Sequence, residues 1–324
     1  MAKTVLLPLI ADGEFHSGQE LAAVLGVSRT AVWKQLAKLQ DLGLEIESVR
    51  GKGYRINGGL ELLDQPRIEA GLQPGVRSLL TELVVAVVLD STNAEVLRRL
   101  QQGGGSGLVC LAEQQTAGRG RLGRQWISPF AGNIYLSLAW EFAGGAAALE
   151  GLSLAVGVAV ARALQQFAVP DIALKWPNDI LCSGAKLGGI LIEMVGDAAG
   201  SCQVVIGIGL NVQMPARAGK DIDQRWTDIR TALGTSVSRN QIVIALLDQL
   251  LPLLGGYEDS GFSPWRERWL VLDAHAGKDV IVVSGDRRTA GTARGIDETG
   301  ALVLDTALGR QLFHGGEVSV RAVE

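Results

Sequence analysis

Three cysteines, three histidines, no long apolar run and no surplus of positive charge are what this 324-residue sequence lacks or nearly lacks. Cys110, Cys182 and Cys202 share no metal-ligand spacing and, being odd in number, cannot all pair. That argues against a disulfide framework and for a reducing, cytoplasmic setting. His16, His275 and His314 are scattered, which speaks against a transition-metal centre. No stretch approaches the roughly 18 apolar residues of a membrane span. The apolar patch before Ile10 is followed at once by Asp12 and Glu14, too short for a signal peptide. With 30 Lys+Arg against 34 Asp+Glu, a net charge of −4, any attraction to nucleic acid must come from a local patch. What remains, 47% apolar and 20% charged residues, is an ordinary soluble composition for two or three domains. Glycine alone is abundant, at 42 residues.

Much of that glycine lies in loops, and one loop is loaded with arginine: Gly118-Arg119-Gly120-Arg121-Leu122-Gly123-Arg124. Three guanidinium groups on so little steric bulk suit it to holding phosphate. Read literally, Gly118, Gly120 and Gly123 spell G-x-G-x-x-G. A dinucleotide fingerprint also needs a preceding strand, a helix opening directly after, and an acidic residue about 20 positions on. Leu108 to Ala112 supplies a strand, but Pro129 and then the alternating run Asn133 to Phe142 read as loop and strand. The Rossmann reading is therefore rejected, and the loop is expected to fold over a ligand with its own side-chain charge.

The first sixty residues read as a winged helix-turn-helix. Ser17 with Glu20 three positions on is a capping-box spacing for a helix to Leu25, Gly26 makes the turn, and Ser28 caps a second helix to Leu39. Val32, Leu36 and Leu39 share one stripe, which leaves Arg29, Thr30, Trp33 and Lys34 outward for a major groove. Two short strands around Arg50-Gly-Lys52-Gly form a basic wing over the phosphate backbone. From Gly26 to Gly58 there are six Lys/Arg against three acids, a modest local excess. One such module makes few phosphate contacts, so a dimer reading two half-sites is expected.

From Leu83 on, strands and helices alternate. A buried strand, Val84 to Leu89, runs into Asp90-Ser91-Thr92-Asn93 before a helix, a usual place for a small polar ligand, although on these residues alone a plain helix cap is the favoured reading. An apolar helix from Leu149 to Phe167 must lie on a sheet. A polar turn, Lys175-Trp-Pro-Asn178-Asp179, then interrupts an apolar strand; Lys186-Leu-Gly-Gly opens the next, and a further strand ends at Asn211. A loop follows to Trp226, whose indole reads either as part of an apolar lid with Met214 and Ile222 or as an anchor for the next helix.

Taken in order, Gln114 to Trp126, Lys175 to Asp179, Lys186 to Ile190 and Gly207 to Asn211 resemble the biotin protein ligase family. With a winged helix in front and a small β domain behind, the whole chain resembles its bifunctional members, which are also operon repressors. The resemblance implies condensation of biotin with ATP to biotinyl-5′-adenylate, transfer to a lysine of a biotin carboxyl carrier protein, and use of the adenylate as corepressor of a DNA-binding homodimer. On the matching positions it assigns Lys186 to the biotin carboxylate and the phosphate, and Arg121 to retention of the reactive intermediate. It places Ser91, Thr92, Asn93, Gln115, Arg119, Gly120, Arg121 and Lys186 about biotin, and Arg119, Arg121, Arg124, Trp126, Lys175, Asn178, Asp179, Asn211 and Trp226 about ATP or the adenylate, with Asp179 helping to bind Mg²⁺. The chain departs from the common pattern at Leu122, where many relatives carry another basic residue.

The tail reads as an amphipathic helix from Asn240 to Gly255, a second helix capped by Ser263 with Pro264 at its first turn, and short strands beyond Gly277 with turns that include 315–317. The expected architecture is α+β: a winged helix-turn-helix over residues 1–64, a mixed-sheet α/β catalytic domain over 65–273, and a small SH3-like β-barrel over 274–324. Two other readings stay open on the residues, a ligand-sensing repressor with an inactive ligase domain and a lipoate or octanoate ligase.

Overall fold

The computed structural model describes residues 6–196, 200–215, 218–315 and 318–322. At the front, helices α1 (Leu6–Ile10), α2 (Gly18–Leu25) and α3 (Arg29–Asp41) pack on a hairpin of β1 (Ile46–Val49) and β2 (Gly53–Ile56). Ser17 Oγ and Ser28 Oγ accept the backbone N–H of Glu20 and Ala31 at 3.0 and 3.2 Å, which satisfies donors the first helical turns leave open. Gly26 ends α2 in the left-handed region, φ 63° and ψ 31°, at low steric cost. The α1 turn is not legible in the sequence; Leu6, Leu7 and Ile10 are fully buried with Leu21, Val32, Leu36, Leu39 and Ile56. The hairpin is pinned in front of α2 by paired backbone bonds between His16 and Tyr54, at 3.0 and 2.9 Å. Phe130 and Ala131 of the next domain join this core, so the two modules are packed together.

Residues 57–64 connect them and are held by a buried polar network. Glu113 Oε1 accepts the Leu63 N–H at 2.6 Å, and its other oxygen lies 2.8 Å from the Arg239 guanidinium, both side chains about 95% buried. Arg239 also donates to the Glu61 and Asn133 carbonyls, and Asn240 brackets Leu62 and Asp64. An ion pair this deep persists only because its remaining donors and acceptors are matched.

After α4 (Gln65–Gly71) and α5 (Pro74–Arg77) come β3 (Glu82–Leu89), α6 (Thr92–Gln101), β4 (Leu108–Gln115), β5 (Ile134–Phe142), α7 (Leu152–Gln165), β6 (Ile172–Lys175), β7 (Asp179–Cys182), β8 (Ala185–Gly196) and β9 (Cys202–Leu210). The seven strands form one sheet in the order β3-β4-β5-β9-β8-β7-β6, parallel between β3 and β4 and antiparallel elsewhere. β3, which its composition presents as a buried strand, is the sheet's edge: only Leu83 is buried, and Val88 is 38% exposed. Then follow α8 (Ile229–Leu233), α9 (Arg239–Ser260) and α10 (Ser263–Val271). The residue before α10 is Phe262 and no side chain caps its start, so Ser263 is the first helical residue rather than the cap.

Period-two alternation sorts the strands between two faces. On β9, Val204, Ile206, Ile208 and Leu210 face the core shared with α7 and α9, whereas Val205 packs under α6 and Gly207 and Gly209 continue that second face. Beyond the N-terminus of α6 these glycines leave a hollow, and the ligand residues gather there. The chain ends in β10 (Asp279–Ser284), β11 (Arg287–Ile296), β12 (Leu302–Thr306), β13 (Gly309–Phe313) and β14 (Val318–Ala322), an antiparallel sheet ordered β13-β12-β11-β10-β14. Val280, Ile296, Leu302 and Val320 of this sheet belong to the same continuous core as the central domain. Among the described residues no helix is long and apolar enough to cross a membrane.

Candidate active site

The hollow opens into a cleft of about 1190 Å³ between the central sheet, the arginine loop and β14. Ser91, Thr92, Asn93 and Gln115 line one end; Arg119, Gly120, Arg121, Arg124 and Trp126 form a flap; Lys175, Asn178, Asp179, Lys186, Asn211 and Trp226 line the other end. Every ligand-site residue singled out in the sequence thus faces one space.

The polar end is built at the start of α6, where Ser91, Thr92 and Asn93 are each over 95% buried. Gln115 Oε1 accepts the Thr92 N–H at 2.8 Å and lies 3.1 Å from its hydroxyl, and Gln115 Nε2 donates to Ser128 at 3.2 Å. These groups are neutral, suited to a polar but uncharged ligand moiety.

The arginine loop folds back on itself. Gly120 N–H donates to the Arg124 carbonyl at 2.7 Å, Trp126 N–H to Gly118 at 2.9 Å, and a short 3₁₀ turn over Arg121–Gly123 carries the tip. Leu122 holds a left-handed conformation, φ 58° and ψ 35°, with half its surface exposed. Below the loop Trp126 lies flat on β9: a Cβ on Gly209 would sit 2.4 Å from the indole. The Arg121 side chain reaches across to Asn178 Oδ1 at 3.2 Å and the Val318 carbonyl at 3.3 Å, tying the flap to both the β6–β7 turn and β14. Arg119 pairs with Glu193 at 3.0 Å, and Arg124 is exposed.

At the charged end Lys186 Nζ lies 2.6 Å from Asp179 Oδ1 and 5.6 Å from the centre of the Trp126 ring. Lys175 stands opposite Asp179 across the β6–β7 hairpin. Burial pushes its ammonium below the ordinary lysine range, Asp179 opposes that, and repulsion from Lys186, Arg124 and Arg321 adds to it. Burial likewise lowers Arg121. So much positive charge with few carboxylates is a standing electrostatic cost, and a polyanion in the cleft removes it. The Trp126 indole N–H and the Asn211 side-chain oxygen are buried without a partner among the described residues. Both lie in the cleft lining, where a ligand can satisfy them. Asp179 is a single carboxylate, and among the described residues no three His, Cys, Asp or Glu side chains group as a metal centre.

This chain is matched over residues 85–211 by the Biotin/lipoate A/B protein ligase family, over 2–55 by an HTH domain and over 275–321 by the Biotin protein ligase C terminal domain. It is 40% identical over 319 residues to the bifunctional ligase/repressor BirA of Salmonella typhimurium, spanning 98% of this chain and 97% of that one. The chain belongs to the biotin protein ligase family. It is also 37% identical over 238 residues to a biotin–[acetyl-CoA-carboxylase] ligase of Paracoccus denitrificans, covering 71% of this chain and 96% of that one. Among solved structures it is similar to the biotin protein ligase from Aquifex aeolicus in complex with biotin and ATP, with a TM-score of 0.64 and 26% identity over 75% of this chain and 100% of that one.

The helix-turn-helix at the front leaves one face of α3 exposed. Arg29, Thr30, Trp33 and Lys34 all point to solvent, as do Arg50 and Lys52 in the wing, while Ser28 caps the helix. Trp226 lines the cleft; its indole donates to the Gly219 carbonyl of the same loop at 3.1 Å, and its neighbours Arg225 and Thr227 bond to the backbone of Lys186. Residues 216 and 217 of that loop, and 316 and 317 of the turn before β14, lie outside the described residues.

Some residues of the site escape the sequence reading, among them Ser137 and Glu193, which stand behind the lining and bond to Thr92, Asn93 and Arg119. Ser137 is a buried polar residue at an inward position of apolar β5, and Glu193 a charge within the apolar run of β8; both breaks in pattern are readable. Val318, Ser319 and Arg321 of β14 enter the lining only through domain packing, which carries no local signal.

Proposed function

We infer that this protein activates biotin with ATP to biotinyl-5′-adenylate, passes biotin to a lysine of a biotin carboxyl carrier protein, and binds operator DNA as a homodimer when loaded with the adenylate. The observation that carries this reading is that Lys186 and the Arg121 flap line one cleft together with the neutral polar residues Ser91, Thr92, Asn93 and Gln115. Activation brings a carboxylate against an anionic α-phosphate, so cations preset on both sides lower the barrier. Lys186 contacts the reacting carboxylate and phosphoryl oxygens; Arg119, Arg121 and Arg124 hold the triphosphate and then the adenylate; Lys175 and Asn178 border the nucleotide. Asp179 would hold Mg²⁺ carried in on the triphosphate, where the ion neutralises phosphoryl charge, since Mg²⁺ is usually bound by one or two carboxylates plus substrate phosphates. The Trp126 indole and the bonded flap exclude water from the mixed anhydride.

For DNA, the exposed cations of α3 and the wing supply the local patch that the net charge does not. The adenylate shifts the dimer equilibrium only by binding the dimer-competent form more tightly, with typical couplings of about 1–3 kcal/mol. The test pairs biotin incorporation into a carrier domain with operator gel shifts, each with and without biotin plus ATP. Incorporation without ligand-dependent DNA binding would remove the repressor half and leave the ligase half.

A further inference from the structure

We propose that Glu193 is a positioning residue that fixes the hydrogen-bonding sense of Thr92, so that the Thr92 hydroxyl receives a ring N–H of a cyclic urea bound in the cleft. The proposal deepens the reading above and rests on the polar end being the biotin head-group pocket.

Glu193 Oε2 lies 3.0 Å from the Arg119 guanidinium and 2.6 Å from Asn93 Nδ2. A carboxylate paired with a guanidinium has no proton to give, so only the NH₂ of Asn93 can face it, and this turns Asn93 Oδ1 toward β5. There it lies 2.5 Å from Ser137 Oγ. Ser137 is fully buried, its hydroxyl carries one proton, and Asn93 Oδ1 can only accept, so the proton goes there. The Thr92 hydroxyl, 2.7 Å from the same Ser137 oxygen, therefore receives nothing from it. It donates instead, to Ser137 or to Gln115 Oε1 at 3.1 Å, and keeps its acceptor lone pairs for a ligand. Gln115 Oε1 is occupied by the Thr92 N–H and its Nε2 gives one proton to Ser128, leaving the second for a carbonyl. The wall so polarised offers an acceptor beside a donor, the complement of a urea N–H and C=O. Gly207 belongs to the arrangement, because a Cβ there would lie 2.3 Å from Asn93 Oδ1.

The test is calorimetric binding to the full-length protein, without ATP, of biotin and of the two carbamate analogues in which one ring N–H is replaced by oxygen. The wild type should favour biotin over the poorer carbamate by about tenfold or more, the usual cost of facing a buried acceptor with no donor. In Glu193→Gln the neighbouring amide can donate as well as accept, Asn93 is free to flip, and the preference should fall below about threefold. Asn93→Ala cuts the same relay while leaving the Glu193–Arg119 pair intact and should lower the ratio equally. A weakened Arg119 pairing affects all three ligands alike, so the ratio isolates the relay. A ratio kept at the wild-type value in either variant overturns the role of Glu193 alone. Absence of biotin binding by the wild type would overturn the pocket reading and the relay with it.

Discussion

Lys186 Nζ stands 2.6 Å from Asp179 Oδ1, an ion pair formed across neighbouring strands β8 and β7 and roofed by the Trp126 ring. The carboxylate holds the ammonium in the cleft against repulsion from Lys175. Asp179→Asn keeps an oxygen for Lys186 but removes the charge that balances it. It should lower kcat by about tenfold or more, a contribution in the range of one charged hydrogen bond, with a smaller change in the KM for biotin. Steady-state kinetics with both substrates varied checks this split.

Arg121 ties the flap to Asn178 and Val318, two anchors in different domains. Arg121→Gly removes both and should raise the escape rate of the adenylate by roughly 10- to 100-fold, since hydrogen bonds to charged groups contribute about 1.5–3 kcal/mol. The checks are the lifetime of labelled adenylate on a gel-filtration column and biotin labelling of unrelated lysines on added protein, which should rise.

Gly209 leaves the space in which Trp126 lies, as the 2.4 Å approach of a built Cβ shows. Gly209→Ala should displace the indole at a cost of about 1–3 kcal/mol and weaken biotin and ATP together, while the helix-turn-helix half is untouched. Intrinsic tryptophan fluorescence on ligand addition, compared with wild type, reads the displacement.

His275 sits on the stretch between α10 and β10, with both ring nitrogens buried and unpartnered among the described residues. Burial, with repulsion from Lys175 and Lys278, pushes it down to about 4 from 6.5. The unfolded chain therefore binds the extra proton first, so the stability contributed by the neutral ring is whole above pH 6.5 and is lost as pH falls toward 4. The raised carboxyl of Asp273 acts with the opposite sign, and burial is its main cause. His275→Phe should flatten the fall of melting temperature between pH 6.5 and 4, measured by thermal scans in that window.

Arg29, Lys34, Arg50 and Lys52 are exposed on α3 and the wing, far in the sequence from the cleft lining. Replacing Arg29 and Lys34 with alanine should abolish the operator shift, or reduce the salt slope of binding by about one for each phosphate no longer neutralised, with unchanged biotin transfer. A fall in transfer in that double variant would place these cations elsewhere.

The site is largely legible in the sequence because its chemistry is carried by short contiguous segments. The loop from Gly118 to Arg124, the turn from Lys175 to Asp179 and the strand opening at Lys186 each announce their residues locally, and the fold brings them to one cleft. What is not legible depends on pairing and packing. β3 reads as a buried strand by composition, yet it lies at the edge because nothing pairs with its outer side among the described residues. The five-residue α1 is too short for a periodic signal, and its burial comes from α2 and α3. The Glu113–Arg239 pair joins positions 126 apart in the chain, which no spacing rule connects.

The account stands on the Lys186 ammonium neutralising charge as the carboxylate meets the α-phosphate. Biotin-dependent exchange of labelled pyrophosphate into ATP by Lys186→Ala, compared with wild type at saturating substrates, tests it most directly. Exchange in the variant should fall by at least about 10²- to 10³-fold, the usual loss on removing one preset charge-stabilising donor, while ATP still binds. Exchange at the wild-type rate would contradict it.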